Sequence, residues 1–246
     1  MKFTPEEIRD LCTKTGGRYA VAEKNEAFGW CKKLALKHYE NFPVGSLFVP
    51  AHARPHFYSV YAFSRIADDI ADEPGFETSE RIALLEMLEE MLTDEMLTSS
   101  NPIFNALYYT CTENEIPKQP FLKLLEAFRR DIHFTRPVTW DDVFDYCEHS
   151  ANPVGELVLR IMGNYNEKTS ELSNCICTAL QLANFWQDTA SDLKRGRNYY
   201  PSAQCGGLDF TEDNLYKEEF SAKFNSVLME AVLVTETLFN QGKGII

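Results

Sequence analysis

An all-α protein is what the sequence predicts, and three observations lead there. Apolar residues recur at three-and-four spacing along most of the 246 residues, runs of alternating β-branched residues are nearly absent, and proline and glycine fall between the periodic segments. Helices are expected at roughly 5–13, 25–39, 54–73, 78–97, 101–113, 118–134, 140–148 continuing through 153–163, 168–194 and 214–240. Between the second and third, ENFPVGSLFVP reads as a loop because of Pro43, Gly45 and Pro50. Pro74-Gly75 stop the third helix, Asn101-Pro102 and Ile116-Pro117 open the fifth and sixth, and Gly196 and Pro201 close the long eighth. No linker and no internal repeat divides residues 1–246, so a single domain is expected.

Composition sets bounds on function. A chain of this length buries roughly three quarters of its unfolded surface, enough for a core with an internal cavity. Hydrophobic residues make up 44% and aromatic ones 13%, with 17 Phe and 11 Tyr, which is the balance of a packed globular body. The net charge of -13, from 24 basic against 37 acidic residues, excludes nucleic acid as a partner. It also repels anions at long range, so an anionic substrate needs a metal or a local Arg/Lys cluster to receive it. Seven cysteines without a C-x-x-C pair, and no apolar run in MKFTPEEIRD, fit a reducing cytoplasm. No uninterrupted apolar run reaches the roughly 18 residues that a membrane span requires, which leaves only peripheral membrane association open.

Two rows of carboxylates carry the chemistry. FYSVYAFSRIADDIAD, 57–72, is apolar over most of its helical circumference, yet Tyr61, Arg65, Asp68 and Asp72 stack within about 60° of one another. A polar ridge on an otherwise buried helix is expected to line a cavity. In ICTALQLANFWQDTASDLKRGR, Gln181, Asn184, Asp188, Asp192 and Arg195 fall within about 80°, while Ile176, Ala179, Leu182, Phe185 and Trp186 supply the packing face. Like charges one helical turn apart need a compensating cation. An oxygen-only donor set suits Mg²⁺, which is held by one or two carboxylates together with phosphate oxygens; zinc would ask for His or Cys. The two rows are expected to meet across an internal pocket. An acidic protein also shows D-x-x-x-D on a solvated helix face, but two such rows on strongly apolar helices argue for a site.

These residues resemble the squalene/phytoene synthase family over roughly residues 28 to 240. Arg65-Ile-Ala-Asp68-Asp69-Ile-Ala-Asp72 resembles its first motif. Gln181-Leu-Ala-Asn184-Phe-Trp-Gln-Asp188-Thr-Ala-Ser-Asp192, followed by Arg195-Gly-Arg197-Asn-Tyr199-Tyr-Pro201, resembles the second. Tyr146 to Gly155 is similar to the central YC-x-x-x-A-G-x-V-G segment, whose tyrosine lines the reaction cavity. Within the family, Lys37 to Pro50 and Ala151 to Gly155 look like the hydroxysqualene synthases of bacterial hopanoid biosynthesis. Where other members carry H-S-x-S-F, this chain reads His38-Tyr39-Glu40-Asn41-Phe42, a carboxylate where a cation often stands. That departure favours a substrate that is already condensed. The family's last helix usually runs some tens of residues past position 246, so the domain is expected to lack it.

The resemblance implies a class I isoprenoid synthase fold, helices around a central cavity. It also implies a prenyl diphosphate substrate, presqualene or farnesyl diphosphate, ionised with Mg²⁺ and without NADPH. Asp68, Asp72, Asp188 and Asp192 are the expected metal ligands, with Asp69 secondary because it lies about 80° off the ridge from Tyr61. Arg65 and Arg197 would grip phosphate oxygens, joined by Gln181 and Asn184. Tyr61, Tyr146, Tyr199 and Phe42 are the aromatic faces proposed to steady a carbocation, each also compatible with ordinary core packing. His38, near the end of the second helix, is a further substrate-binding candidate. His52/His56 and Cys175/Cys177 read as structural, since no third ligand accompanies them. Two rivals stay open: a head-to-head farnesyl diphosphate condensing enzyme, and an inactive member serving in assembly.

Overall fold

The computed structural model describes residues 3–37, 49–92, 99–205 and 218–245, and among them there are helices and turns but no strand. The helices are α1 Pro5–Leu11, α2 Lys24–Lys37, α3 Arg54–Asp72, α4 Thr78–Met91, α5 Pro102–Glu113, α6 Gln119–Ile132, α7 Trp140–Ser150, α8 Asn152–Ile161, α9 Glu167–Gln187, α10 Thr189–Lys194 and α11 Glu218–Gly242. None is long and apolar enough to cross a membrane among the described residues. The chain divides into two compact units: Met1–Ile132 with Leu157–Asn164, and His133–Glu156 with Tyr165–Ile246.

Two expected helices are broken. The segment read as one helix across 140–163 is α7 and α8, separated at Ala151 (φ -110°, ψ -48°) just ahead of Pro153, whose ring and missing N–H cannot continue a helix. The segment read as 168–194 is α9 and α10, separated at Asp188 (φ -93°, ψ 7°). No Gly or Pro marks that second break. Its cause is Thr189, whose hydroxyl donates to the carbonyls of Phe185 and Trp186, each at 3.0 Å, and so competes with the helical ladder.

In the first unit α3 is the central strut, packed against α1, α2, α4, α5 and α6. Its Phe63 is fully buried, with Phe104 of α5 and Phe121 of α6 set edge-on at 6.1 and 5.2 Å. The C-terminus of α3 is capped by a neighbour: the Arg81 guanidinium on α4 donates to the carbonyl of Ile70 and, at 2.6 Å, to that of Glu73. The chain then turns at Gly75, φ 104°, where a Cβ would run into Pro5. Leu157 and Ile161 of α8 complete this core.

Asn101 ties the start of α5 to the end of α1. Its side chain is fully buried; Oδ1 accepts from the N–H of Ile103 at 3.0 Å, while Nδ2 donates to the carbonyls of Leu11 (2.7 Å) and Thr13 (2.9 Å). Asn101→Ala is expected to cost about 2 kcal/mol, from the lost cap and the buried Leu11 carbonyl left unpaired, the Thr13 carbonyl keeping the N–H of Gly16 at 3.0 Å. Asn101→Asp keeps the cap but loses both donors, so chemical denaturation should find it no better than alanine. Parental stability in the Asp variant would remove the donor half of this account.

In the second unit α9 packs chiefly against α11, with α7 alongside. Capping boxes open both α7 (Thr139 with Asp142) and α9 (Asn166 with Thr169). Trp186 holds α9 to α11 through its indole N–H, which donates to the Thr235 hydroxyl at 2.9 Å. Gly155 lets α8 approach α9 so closely that a Cβ there would collide with Ser173 and Cys177. Asn152 fixes the same junction, its Oδ1 accepting from the Thr178 hydroxyl at 3.0 Å.

Candidate active site

The first carboxylate row lies on α3, in the first unit. Asp68 is about half exposed at 45%, Asp72 is exposed, and Tyr61 is half-buried against the core. Asp69 stands differently. Its side chain has no exposure at all, and its Oδ1 is taken by the Arg65 guanidinium. The secondary ligand role expected for Asp69 therefore gives way to a buried ion pair, because the 80° offset from the ridge points the carboxylate into the core. Burial drives the Asp69 carboxyl up to about 6, against the pull of Arg65 in the other direction. Arg65 also reaches Asp68, 3.3 Å from Nη1 to Oδ2. The guanidinium expected to grip phosphate is here engaged by two carboxylates of its own helix. Asp69 Oδ2 and Arg65 Nε are buried and make no hydrogen bond, so the pair is incompletely satisfied.

The second row lies in the second unit and bends with the α9–α10 break. Asn184 and Asp188 are exposed; Gln181 and Asp192 are half-buried. Asp188 closes α9 through its N–H, which donates to the Asn184 carbonyl at 2.8 Å. Its own carbonyl then accepts from the N–H groups of Ser191 and Asp192, each at 2.9 Å, and starts α10. Gly196, with φ 74°, turns the chain back so that the Arg197 N–H donates to the Asp192 carbonyl at 2.8 Å. The backbone of Arg197 is thereby brought to that of Asp192, and the Arg197 side chain is half-buried whereas Arg195 is exposed.

Beside this row stands an aromatic cluster. Phe185 and Tyr199 stack face to face at 3.7 Å and 8°, with Tyr146 at 5.9 and 6.0 Å from them and Phe134 edge-on to Tyr199 at 5.2 Å. A shallow depression in the same unit, too tight as it stands to enclose a water molecule, is lined by Phe185, Thr189, Asp192, Leu193, Arg197, Asn198, Tyr199 and Tyr200. Phe185 was read as packing only, yet it lies three residues before Asp188, a spacing that puts it on the aspartate side of the helix. His38 and Phe42, with Glu40 and Asn41, lie outside the described residues.

The donor set fits Mg²⁺. Both rows offer carboxylates at helical i,i+4 spacing with no His or Cys among them, and among the described residues no three His, Cys, Asp or Glu side chains converge into a complete cage. A hard cation that takes its remaining ligands from phosphate and water asks for no more. His56 meets the Thr110 hydroxyl at 3.0 Å through Nδ1, and burial lowers its pKa; Cys177 faces Ser173 at 3.8 Å, with its thiol pushed up by burial.

The family model for squalene/phytoene synthase matches residues 35–246. The hydroxysqualene synthase of Zymomonas mobilis is 32% identical over 246 residues, covering 96% of this chain and 80% of the relative. That of Sinorhizobium fredii is 31% identical over 213 residues, covering 86% and 72%. Among solved structures, squalene synthase HpnC from Alicyclobacillus acidocaldarius superposes with a TM-score of 0.82 at 38% identity, over 95% of this chain and 87% of that one. A dehydrosqualene synthase shares the fold at a TM-score of 0.75 and 23% identity, over 89% of this chain and 76% of that one. With the family model matched over residues 35–246 and a relative 32% identical over 96% of its length, the chain belongs to the squalene/phytoene synthase family of isoprenoid-biosynthesis enzymes.

Proposed function

We propose that this chain is a Mg²⁺-dependent hydroxysqualene synthase, converting presqualene diphosphate and water to hydroxysqualene and diphosphate. The observation that carries the reading is the second-unit depression, where Asp192 and Arg197 adjoin the stacked rings of Phe185 and Tyr199. In this reading a carboxylate and a guanidinium suited to a metal-bound anion stand beside aromatic rings suited to a cation. The relatives named hydroxysqualene synthase support the choice within the family.

In this reading Asp68, Asp72, Asp188 and Asp192 would hold Mg²⁺, and Arg197 would bind phosphate oxygens together with Gln181 and Asn184. When bound, Mg²⁺ supplies the positive charge that the departing diphosphate needs. The C–O bond to diphosphate breaks with its electron pair leaving on the phosphate oxygen. The cyclopropane rearranges, water adds through oxygen to the final cation, and one proton is released. Phe185, Tyr199 and Tyr146 steady that cation by their ring faces and keep bulk water away until the rearrangement is done. No hydride enters the balance, so no NADPH is required.

A second reading, head-to-head condensation of farnesyl diphosphate, is favoured by one fact: the 38% identical structural relative is a squalene synthase. Incubation with labelled presqualene and farnesyl diphosphates, with and without Mg²⁺, separates them. Hydroxysqualene from presqualene diphosphate, formed only with Mg²⁺ and no reductant, is the expected product. Presqualene diphosphate or squalene made from farnesyl diphosphate would replace it with the condensing reading. No turnover, together with no Mg²⁺-dependent diphosphate binding, would mark an inactive assembly protein.

A further inference from the structure

The break at Asp188 is held from a second direction. Besides donating to the carbonyls of Phe185 and Trp186, the Thr189 hydroxyl lies 3.0 Å from the phenol oxygen of Tyr200. One hydroxyl has a proton to give and two lone pairs, enough to serve the carbonyls and accept from Tyr200. Tyr200 has little freedom to leave. It is 2% exposed, its ring stacks on Trp186 at 4.7 Å, and its backbone N–H donates to Asn198 Oδ1 at 3.0 Å. Arg136 holds its carbonyl at 3.2 Å, and Trp186 is pinned in turn to Thr235 on α11. Burial raises the Tyr200 phenol to about 12, so the hydroxyl stays protonated across the working pH range.

We infer that Thr189 and Tyr200 are positioning residues, a hydroxyl pair that holds the helix open at Asp188 and fixes the orientation of Asp188 and Asp192 against the Arg197–Tyr199 segment. The inference rests on the diphosphate-handling role proposed above and names what sets its geometry. Without the Thr189 hydroxyl the Phe185 and Trp186 carbonyls return to the backbone ladder, and α9 can run on through position 188 as an uninterrupted helix. Asp188 and Asp192 keep their one-turn spacing, set by the Asp192 N–H to Asp188 carbonyl bond at 2.9 Å, but would swing with the straightened helix, while Arg197 and Tyr199 lose the link that orients them to the row. Neither hydroxyl touches substrate in this account; both act through the aspartates.

The test is calorimetry of Mg²⁺ with inorganic diphosphate on the full chain, beside steady-state kinetics, for Thr189→Val, Thr189→Ser, Tyr200→Phe and the Thr189→Val/Tyr200→Phe double variant. Loss of an outer-sphere partner of this kind costs a metal site roughly 10–100-fold. Thr189→Val is expected to weaken Mg²⁺-diphosphate binding and raise the Mg²⁺ needed for half-maximal rate by about tenfold. Thr189→Ser, which keeps the hydroxyl, should restore both. The double variant should be no worse than Thr189→Val alone, because the two act as a unit. A Thr189→Val protein that melts earlier but binds as the parent does overturns the proposal, as do additive effects in the double variant. If Thr189→Val fails to fold, Tyr200→Phe decides on the same readouts. A parent that binds no Mg²⁺-diphosphate overturns the functional reading itself, and with it the role given to the pair.

Discussion

Asp188→Asn is expected to lower turnover of the prenyl diphosphate by on the order of a thousandfold while leaving the helical circular dichroism and the melting temperature at their parental values. The size follows from what the carboxylate does. Stabilising charge on a departing group supplies several kcal/mol, and an amide offers a metal one neutral oxygen in place of a charged one. The silence of the fold follows from the hydrogen bonds. Asp188 closes α9 and starts α10 through its backbone N–H and carbonyl alone, to Asn184, Ser191 and Asp192, and these are untouched by a side-chain change. The side chain is exposed, so no packing is lost either. Activity assays at saturating and limiting Mg²⁺ check the result; turnover within a few-fold of the parent would take Asp188 out of the ligand set.

Much of this architecture could be read from residue order. Three-and-four periodicity placed the helices, and Pro74, Gly75, Pro102, Pro117 and Gly196 placed their ends, since each acts through its own backbone chemistry regardless of the fold. The break at Asp188 escaped, because nothing in Gln187-Asp188-Thr189 forbids a helix; a threonine hydroxyl decides it only when Tyr200, eleven residues on, comes to hold that hydroxyl in place. Asp69 escaped for another reason. Its offset from the ridge was legible, but α3 is apolar over most of its circumference, and periodicity cannot say which side becomes fully buried. Only the packing of α1, α2, α4, α5 and α6 around α3 decides that. Phe185 was placed correctly in the core, and what the sequence left open was that its ring would stack on Tyr199 rather than merely fill space.

Arg65→Met carries the second large effect, and here on stability. The variant leaves Asp69 with no exposure and no counter-charge, a situation that costs about 3–5 kcal/mol when the remaining group stays ionised. The pH dependence has a definite sign. Burial already holds the Asp69 carboxyl at about 6, above its ordinary 3.8, in spite of Arg65. Without the guanidinium the folded-state value climbs further. A carboxyl raised in this way leaves the fold most stable below its unfolded pKa and destabilises it as pH rises through the folded one. The deficit of Arg65→Met should therefore be small near pH 4 and grow toward pH 8 by roughly 3 kcal/mol, measured by urea denaturation across that range. Adding Asp69→Leu removes the orphaned charge and should recover most of the loss, since an apolar pair of similar volume often equals or exceeds a buried ion pair. Turnover should not recover, because Arg65 also braces Asp68 at 3.3 Å and that brace is still absent. A double variant as unstable as Arg65→Met would mean that the cost lies in packing rather than charge. A stable but inactive one would mean that this chain keeps an incompletely satisfied ion pair in its core for the sake of the aspartate row beside it.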